Sequence, residues 1–315
     1  MYRLETQQTY VFDQLTALQH GWDFSVIQLG PAERPTMARL HETANVAYVR
    51  FRCGAAYDQR LRSRSGLVSF GLLDADNPTT WTYDQVIPND AVTVFPADAY
   101  LRGASPMGFR GSGMHFKASF LAAVSERVYR RPLAMVVPDP GLYVPDLASL
   151  MALRRELRKW QQLVAHAAHT RPAIIERREE TLALALLGAL DSSTAAVEEQ
   201  RPRVTARSMA LALEFIHESA AENISASAIS NHAQCSQRTL EKGFVKRFGV
   251  TPKKYIKCLR LARVHCGLLR FAEQDCDSII ELAGRYGFWH MGQLAADYRH
   301  IYGELPSETL GRSAR

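Results

Sequence analysis

The chain is poor in cysteine, and the cysteines it has are scattered. Five occur in 315 residues, at Cys53, Cys235, Cys258, Cys266 and Cys276, and no two are spaced C-x-x-C. An odd set without pairs argues against a disulfide framework and against a zinc cluster. It fits reduced thiols and sets the expectation of a cytoplasmic protein. Long hydrophobic runs are missing too. No apolar stretch reaches the roughly 18–20 residues of a bilayer span. The start, MYRLETQQTYVFDQL, has no basic segment leading into an apolar one, so no secretory signal is expected. Catalytic signatures are equally scarce: there is no G-x-S-x-G, Walker loop or H-E-x-x-H. The histidines of the first 140 residues are His20, His41 and His115, with no H-x-H pair. A metal site of clustered imidazoles and carboxylates is therefore not expected, and no cofactor is.

Acidic residues are scarce in one place above all. Between Ser236 and Arg270 there are ten lysines and arginines and a single acid, Glu241, while the whole chain carries only +6. Charge concentrated in this way points to a polyanionic partner. The plain alternative is a solvated helix face. With 47% hydrophobic residues and 22% charged, the chain is able to bury a core. Its length suits two ordinary domains.

Texture divides the chain. Residues 1–145 are expected to be β-rich. Short runs rich in Val, Phe and Tyr, at 47–52, 67–73, 91–95 and 109–116, are punctuated by Asp74-Ala-Asp-Asn-Pro78 and Pro88-Asn-Asp90. This fits a small antiparallel barrel or sandwich. Residues 146–190 are expected to form a helical hairpin. Leu147, Leu150, Met151, Leu157, Trp160 and Val164 fall at helical spacing, and Pro172 suits the first turn of a second helix. Such a pair packs on its own domain or on a second copy, which makes a homodimer an expectation. The polar stretch 191–205 has the composition of a linker.

From residue 206 to about 310 the pattern is helical and repeats. Ser225 is placed to cap a short helix, Ala226–Ala233, and Ser236 a second one in which Leu240, Phe244 and Phe248 make an apolar stripe. Gly249 ends that helix, and Pro252 opens a long basic one to about Phe271. The arrangement recurs: Asp277-Ser278 caps a short helix, Gly287-Phe288 makes a turn, and a helix with Leu294, Tyr298 and Ile301 ends at Gly303. Two short helices joined by a tight turn form the helix-turn-helix, whose second helix enters the major groove.

These residues resemble the AraC/XylS family of bacterial transcription regulators. The resemblance rests on Ser236-x-Arg238-x-Leu240-x-x-x-Phe244, Phe248-Gly249-x-Thr251-Pro252-x-x-Tyr255, Arg260-Leu-Ala262, Ile280-x-x-Ala283, Gly287-Phe288 and Tyr298-x-x-x-Tyr302-Gly303-x-x-Pro306. The end, GFWHMGQLAADYRHIYGELPSETL, is similar to a subgroup containing the ethanolamine-utilisation regulator. The resemblance covers about a third of the chain. It implies an α+β multidomain protein with a cupin-like sensing and dimerisation barrel at residues 1–190 and a DNA-binding domain at 206–310. It also implies promoter DNA and RNA polymerase as partners, and activation by an unidentified small-molecule or second-messenger effector. Control by a protein partner without any ligand stays open. So does a cupin-type metalloenzyme fused to a DNA-binding tail, although the histidines speak against it.

Base reading is expected from Gln237, Arg238, Glu241 and Lys242 in the first unit, and from His290 and Gln293 in the second. Phosphate contacts are expected from Ser236, Lys246, Arg247, Lys253, Lys254 and Arg299. Ala295 and Ala296 leave the second unit short of polar side chains, so the first is expected to dominate sequence choice. An effector pocket is expected from Arg50, Phe70, Trp81, Phe95 and Arg110. Arg52, Arg60, Arg62 and Arg64 add to Arg50 a hint of an anionic signal.

Overall fold

A computed structural model describes residues 2–9, 22–82, 85–97, 100–166, 170–196, 204–222, 224–273 and 276–313. In chain order its strands are β1 (Arg3–Thr9), β2 (Trp22–Gln28), β3 (Thr36–Glu42), β4 (Val46–Arg52), β5 (Tyr57–Ser63), β6 (Leu67–Leu73), β7 (Trp81–Thr82), β8 (Gln85–Val86), β9 (Val92–Val94), β10 (Leu101–Ser105), β11 (Arg110–Lys117), β12 (Gly141–Val144) and β13 (Thr194–Ala195). Helices α1 (Ala118–Tyr129), α2 (Leu147–Ala165) and α3 (Pro172–Asp191) complete the N-terminal region.

The strands form two antiparallel sheets. One has the order β1-β3-β4-β11-β6-β9-β12-β13, the other β2-β5-β10-β7-β8. This corrects the expected barrel. Among the described residues β1 and β13 lie at opposite edges of the first sheet and do not pair, so the sheets stay open and stack as a sandwich. β7, β8 and β9 are only two or three residues long, and Pro88 and Pro96 flank β9. β7 and β8 lie at one edge of the second sheet, and among the described residues neither pairs with a strand of the first.

Strand alternation explains the layering. Along β4, Val46 and Tyr48 enter a core shared with α1–α3, whereas Ala47, Val49 and Phe51 enter the core between the sheets. Along β5, Tyr57 and Leu61 face that inner core. Asp58 and Arg60, between them, face the C-terminal helices. On the helical side α2 and α3 bury Leu153, Trp160, Leu182, Leu186 and Leu187. Glu156 of α2 receives Lys159 at 2.9 Å, Arg155 at 3.1 Å and Arg178 of α3 at 2.9 Å. Glu179 of α3, fully buried, accepts from the Asn45 amide at 2.8 Å and fastens the helix to the β3–β4 turn.

Helix α1 was not anticipated. Its buried Leu121 and Val124 fall three apart, a helical interval that begins directly after β11 without an intervening turn signal. Beyond the sandwich come α4 (Val204–Ser219), α5 (Ala226–His232), α6 (Gln237–Phe248), α7 (Pro252–Leu269), α8 (Ile279–Arg285), α9 (Met291–Tyr302) and α10 (Pro306–Ser313). The sheet-rich first part and helical last part agree with expectation. The stretch expected as a linker falls partly on residues 197–203, outside the described residues.

Candidate nucleic-acid interface

The first unit is α5, a turn and α6. Ser225 Oγ accepts the Ala228 amide at 3.1 Å, and Ser236 Oγ accepts the Thr239 amide at 3.1 Å, so each helix start is capped as its sequence suggests. Between them Gln234 turns the chain at φ +53°, and the Cys235 amide reaches back to the Ser230 carbonyl at 3.0 Å. Leu240, Phe244 and Phe248 are buried in one stripe. The opposite side of the N-terminal half of α6 is bare, and Gln237, Arg238, Glu241 and Lys242 are all exposed there.

In the second unit Ser278 Oγ accepts the Glu281 amide at 3.2 Å, and Glu281 returns a carboxylate oxygen to the Asp277 amide at 3.0 Å. Leu294, Tyr298 and Ile301 of α9 are buried. His290 and Gln293 are exposed at its start, as are Gly292 and Ala296. The most exposed large hydrophobic side chain of the described residues is beside them: Trp289, at 79%.

Helix α7 joins the units, and much of the basic segment is spent on that joint. Arg260 donates from Nε to the Ala220 carbonyl and from Nη2 to the Glu222 carbonyl, each at 2.5 Å. Arg263 donates to the His217 carbonyl at 2.5 Å, and Lys257 pairs with Asp297 of α9 at 2.9 Å. Gly287, in the turn before α9, has φ +80°, and a methyl there would lie 2.8 Å from the Ala221 carbonyl and 3.3 Å from Arg260. The two units therefore meet at Arg260 and Gly287.

The phosphate candidates divide. Lys253, Lys254 and Arg299 are exposed. Ser236 is exposed, but its hydroxyl is engaged in the cap. Lys246 is exposed and its ammonium stands 5.6 Å from the centre of the Trp81 ring. Arg247 is not at the surface: it is 9% exposed and lies where the C-terminal end of α6 meets the sandwich.

That meeting is a packed interface. Ile27 and Ala104 of the second sheet, and Leu29 just after β2, are buried in one apolar cluster with Tyr255, Ile256 and Leu259 of α7. Tyr255 donates to Asp58 Oδ2 at 2.5 Å, its oxygen lies 3.2 Å from His217 Nε2, and Gln28 donates to the Ile301 carbonyl at 2.7 Å. Burial raises the Asp58 carboxyl above its ordinary value, against the pull of Arg102, Tyr255 and Arg247. Burial likewise holds the His217 imidazole down at about 4, helped by Arg102, Arg263 and Arg60. A net hydrogen bond contributes about 1 kcal/mol, whereas full burial of one aliphatic side chain contributes roughly 1.5–3 kcal/mol. The apolar side chains hold the interface and the polar ones set its register.

The residues grouped as an effector pocket do not converge. Arg50 pairs with Asp74 at 2.6 Å and Arg110 with Asp76 at 2.8 Å. Arg62 and Arg64 both pair with Asp23. Phe70 is fully buried on the helix-facing side of the first sheet. Only Trp81 and Phe95 share a space, a cavity of about 40 Å³ between the sheets, which has room for little more than water. A roomier cleft, about 290 Å³, opens between β2, β5 and α7, with Asp58, Arg60, His217, Arg263 and Arg270 on its walls. Sequence reading missed it because its lining comes from segments some 200 residues apart.

Residues 229–312 match the model of a helix-turn-helix domain. This segment is a helix-turn-helix domain. Over 98 residues the chain is 40% identical to the XylDLEGF operon transcriptional activator of Pseudomonas putida, covering 31% of this chain and 30% of that one. It is 28% identical over 188 residues to a probable thc operon regulatory protein of Rhodococcus erythropolis, 56% of this chain and 55% of the other. The chain thus spans about a third to a half of the length of these relatives. The crystal structure of CuxR, an AraC-like transcriptional activator, aligns with 84% of this chain and 96% of its own, at 13% identity and a TM-score of 0.44. About a third of the chain is thus similar in sequence to proteins that are transcriptional activators.

Proposed function

We propose that the chain is a sequence-specific DNA-binding transcriptional regulator of AraC/XylS type, acting as an activator at promoters with RNA polymerase. The observation that carries this is the capped start of α6, where Gln237, Arg238, Glu241 and Lys242 stand bare opposite a buried apolar stripe. N-terminal residues of such a helix meet base edges. Arg238 or Lys242 donates to guanine O6 and N7, and Glu241 accepts from cytosine N4. His290 and Gln293 offer the second unit fewer donors. Lys253, Lys254, Arg299 and Lys246 set affinity and its salt dependence. The first unit then dominates sequence choice. A bound duplex selected from random sequence by the full chain tests this: Arg238→Ala should relax specificity at one position by about 1–3 kcal/mol, and Gln293→Ala by less. The reverse ranking, or binding indifferent to sequence, would sink the reading.

Further features belong to the same proposal. The sheet-rich region 1–190 serves as a sensing and dimerisation domain, with α2 and α3 as the pairing element, in a cytoplasmic regulator and not an enzyme. The end of the chain groups with the subgroup of the ethanolamine-utilisation regulator. Control by a small-molecule effector is supported by the cleft beside Arg60, Arg263 and Arg270, whose charge favours an organic anion. A ligand that binds the native state raises its apparent stability. Thermal-shift screening of anionic metabolites should therefore find at least one stabiliser. If none shifts the transition, control by a protein partner is the better reading.

A further inference from the structure

The second unit presents to solvent what a DNA-reading surface usually lacks, a large bare indole. Trp289 immediately precedes His290, the N-cap of α9, and is 79% exposed. The ring is not simply loose. A methyl placed on Gly284 of α8 would lie 3.7 Å from its Cζ3, so one edge of the indole stands beside α8 while most of the ring is uncovered. Beyond it the outward side of α9 is nearly flat. Gly292 has open space around its Cα, and Ala296 is exposed. Ile280, one turn before Gly284 on α8, is 65% exposed.

This placement has a direct chemical meaning in the major groove. The N-terminal residues of the second helix of a helix-turn-helix are the ones that approach base edges. A flat helix side lets the duplex come close. Three of the four bases offer only donors and acceptors there, and thymine alone adds an apolar group, its C5 methyl. We propose that Trp289 is a specificity-determining residue, whose indole packs against the C5 methyl of one or two thymines in the half-site of the second unit. The assignment rests on the reading of the chain as a DNA-binding regulator. It makes the two units chemically different: the first reads donors and acceptors, the second reads methyls.

The experiment uses the full chain and a duplex enriched from random sequence. Thymidines of the second half-site are replaced one at a time by deoxyuridine, which removes the methyl and leaves the hydrogen-bonding edge intact. Affinity is measured by fluorescence anisotropy. The wild-type chain should lose about fourfold in affinity at one or two positions, the worth of one buried methyl. Trp289→Ala should bind the thymine and uracil duplexes equally, and at the affinity the wild type shows for uracil. Because the side chain is exposed, its thermal transition should match the wild type's, and Trp289→Leu should keep part of the preference for thymine. A wild-type chain blind to every uracil, or a Trp289→Ala variant that still discriminates, overturns the assignment while leaving DNA binding intact. A chain that enriches no duplex overturns the DNA-binding reading and this assignment with it.

Discussion

Three glycines of the C-terminal helices share almost the same backbone angle and yet should not respond alike to substitution. Gly249, Gly287 and Gly303 all have φ between +71° and +80°. A side chain in that conformation costs roughly 1–2 kcal/mol at any of them. At Gly249 and Gly303 a methyl meets nothing within 4 Å, whereas at Gly287 it would press on the Ala221 carbonyl at 2.8 Å. That carbonyl belongs to a turn stapled by Arg260, so it has little room to give. Gly287→Ala should therefore destabilise the folded chain by more than 2 kcal/mol and Gly303→Ala by about half as much. Equal losses in urea titrations would mean that the two units are not held together at this point.

The helix starts are legible one by one because each carries its own chemistry. Ser225, Ser236, Thr251 and Ser278 are all N-caps whose side chains accept a backbone amide. Removing one orphan amide's partner costs about 1 kcal/mol, so Ser236→Ala should lower the thermal midpoint by a few degrees. It should also weaken DNA binding, since α6 begins there. A variant as stable as wild type would show that the cap is carried by water. Local signals of this kind explain why α5 to α9 were foreseen nearly residue by residue. Strands β2, β5 and β10 escaped notice for the opposite reason. Polar residues such as Asp58, Gln59, Arg60 and Arg102 sit in them because both faces of that sheet are covered, one by a second sheet and one by helices distant in sequence. Arg247 was misjudged on the same ground: its position on α6 looks solvent-facing until the sandwich is placed against it.

At the scale of the whole molecule the interface between sandwich and helices should give stability a pH dependence. His217 is held at about 4 by burial, with Arg102, Arg263 and Arg60 adding repulsion, against an ordinary value of 6.5. His41, held at about 4 by burial and by Arg39, behaves alike. The unfolded chain takes up these protons below pH 6.5 and the folded chain only near pH 4. Their contribution is thus complete above pH 6.5 and drains away as the pH falls towards 4. Asp58 works in the other sense. Burial raises its pKa, so its share of stability is present at low pH and is lost as the pH rises through the folded value. His217→Gln keeps a donor for Tyr255 and leaves Asp58 in place. Its melting midpoint should fall less steeply than the wild type's between pH 6.5 and pH 4. Parallel profiles would show that His217 takes its proton without unfolding the interface.

The buried contact of Ile27, Leu29 and Ala104 with α7 also bears on how such a protein is inherited and rebuilt. A regulator whose halves were joined by a tether alone could exchange its sensing half freely with a relative. Here the outward face of one sheet and the connecting helix have to match as a lock matches its key. A chimera made by cutting between α3 and α4 leaves Ile256 and Leu259 facing a stranger, and the outward residues of β2, β5 and β10 are the ones that would have to travel with the reading half.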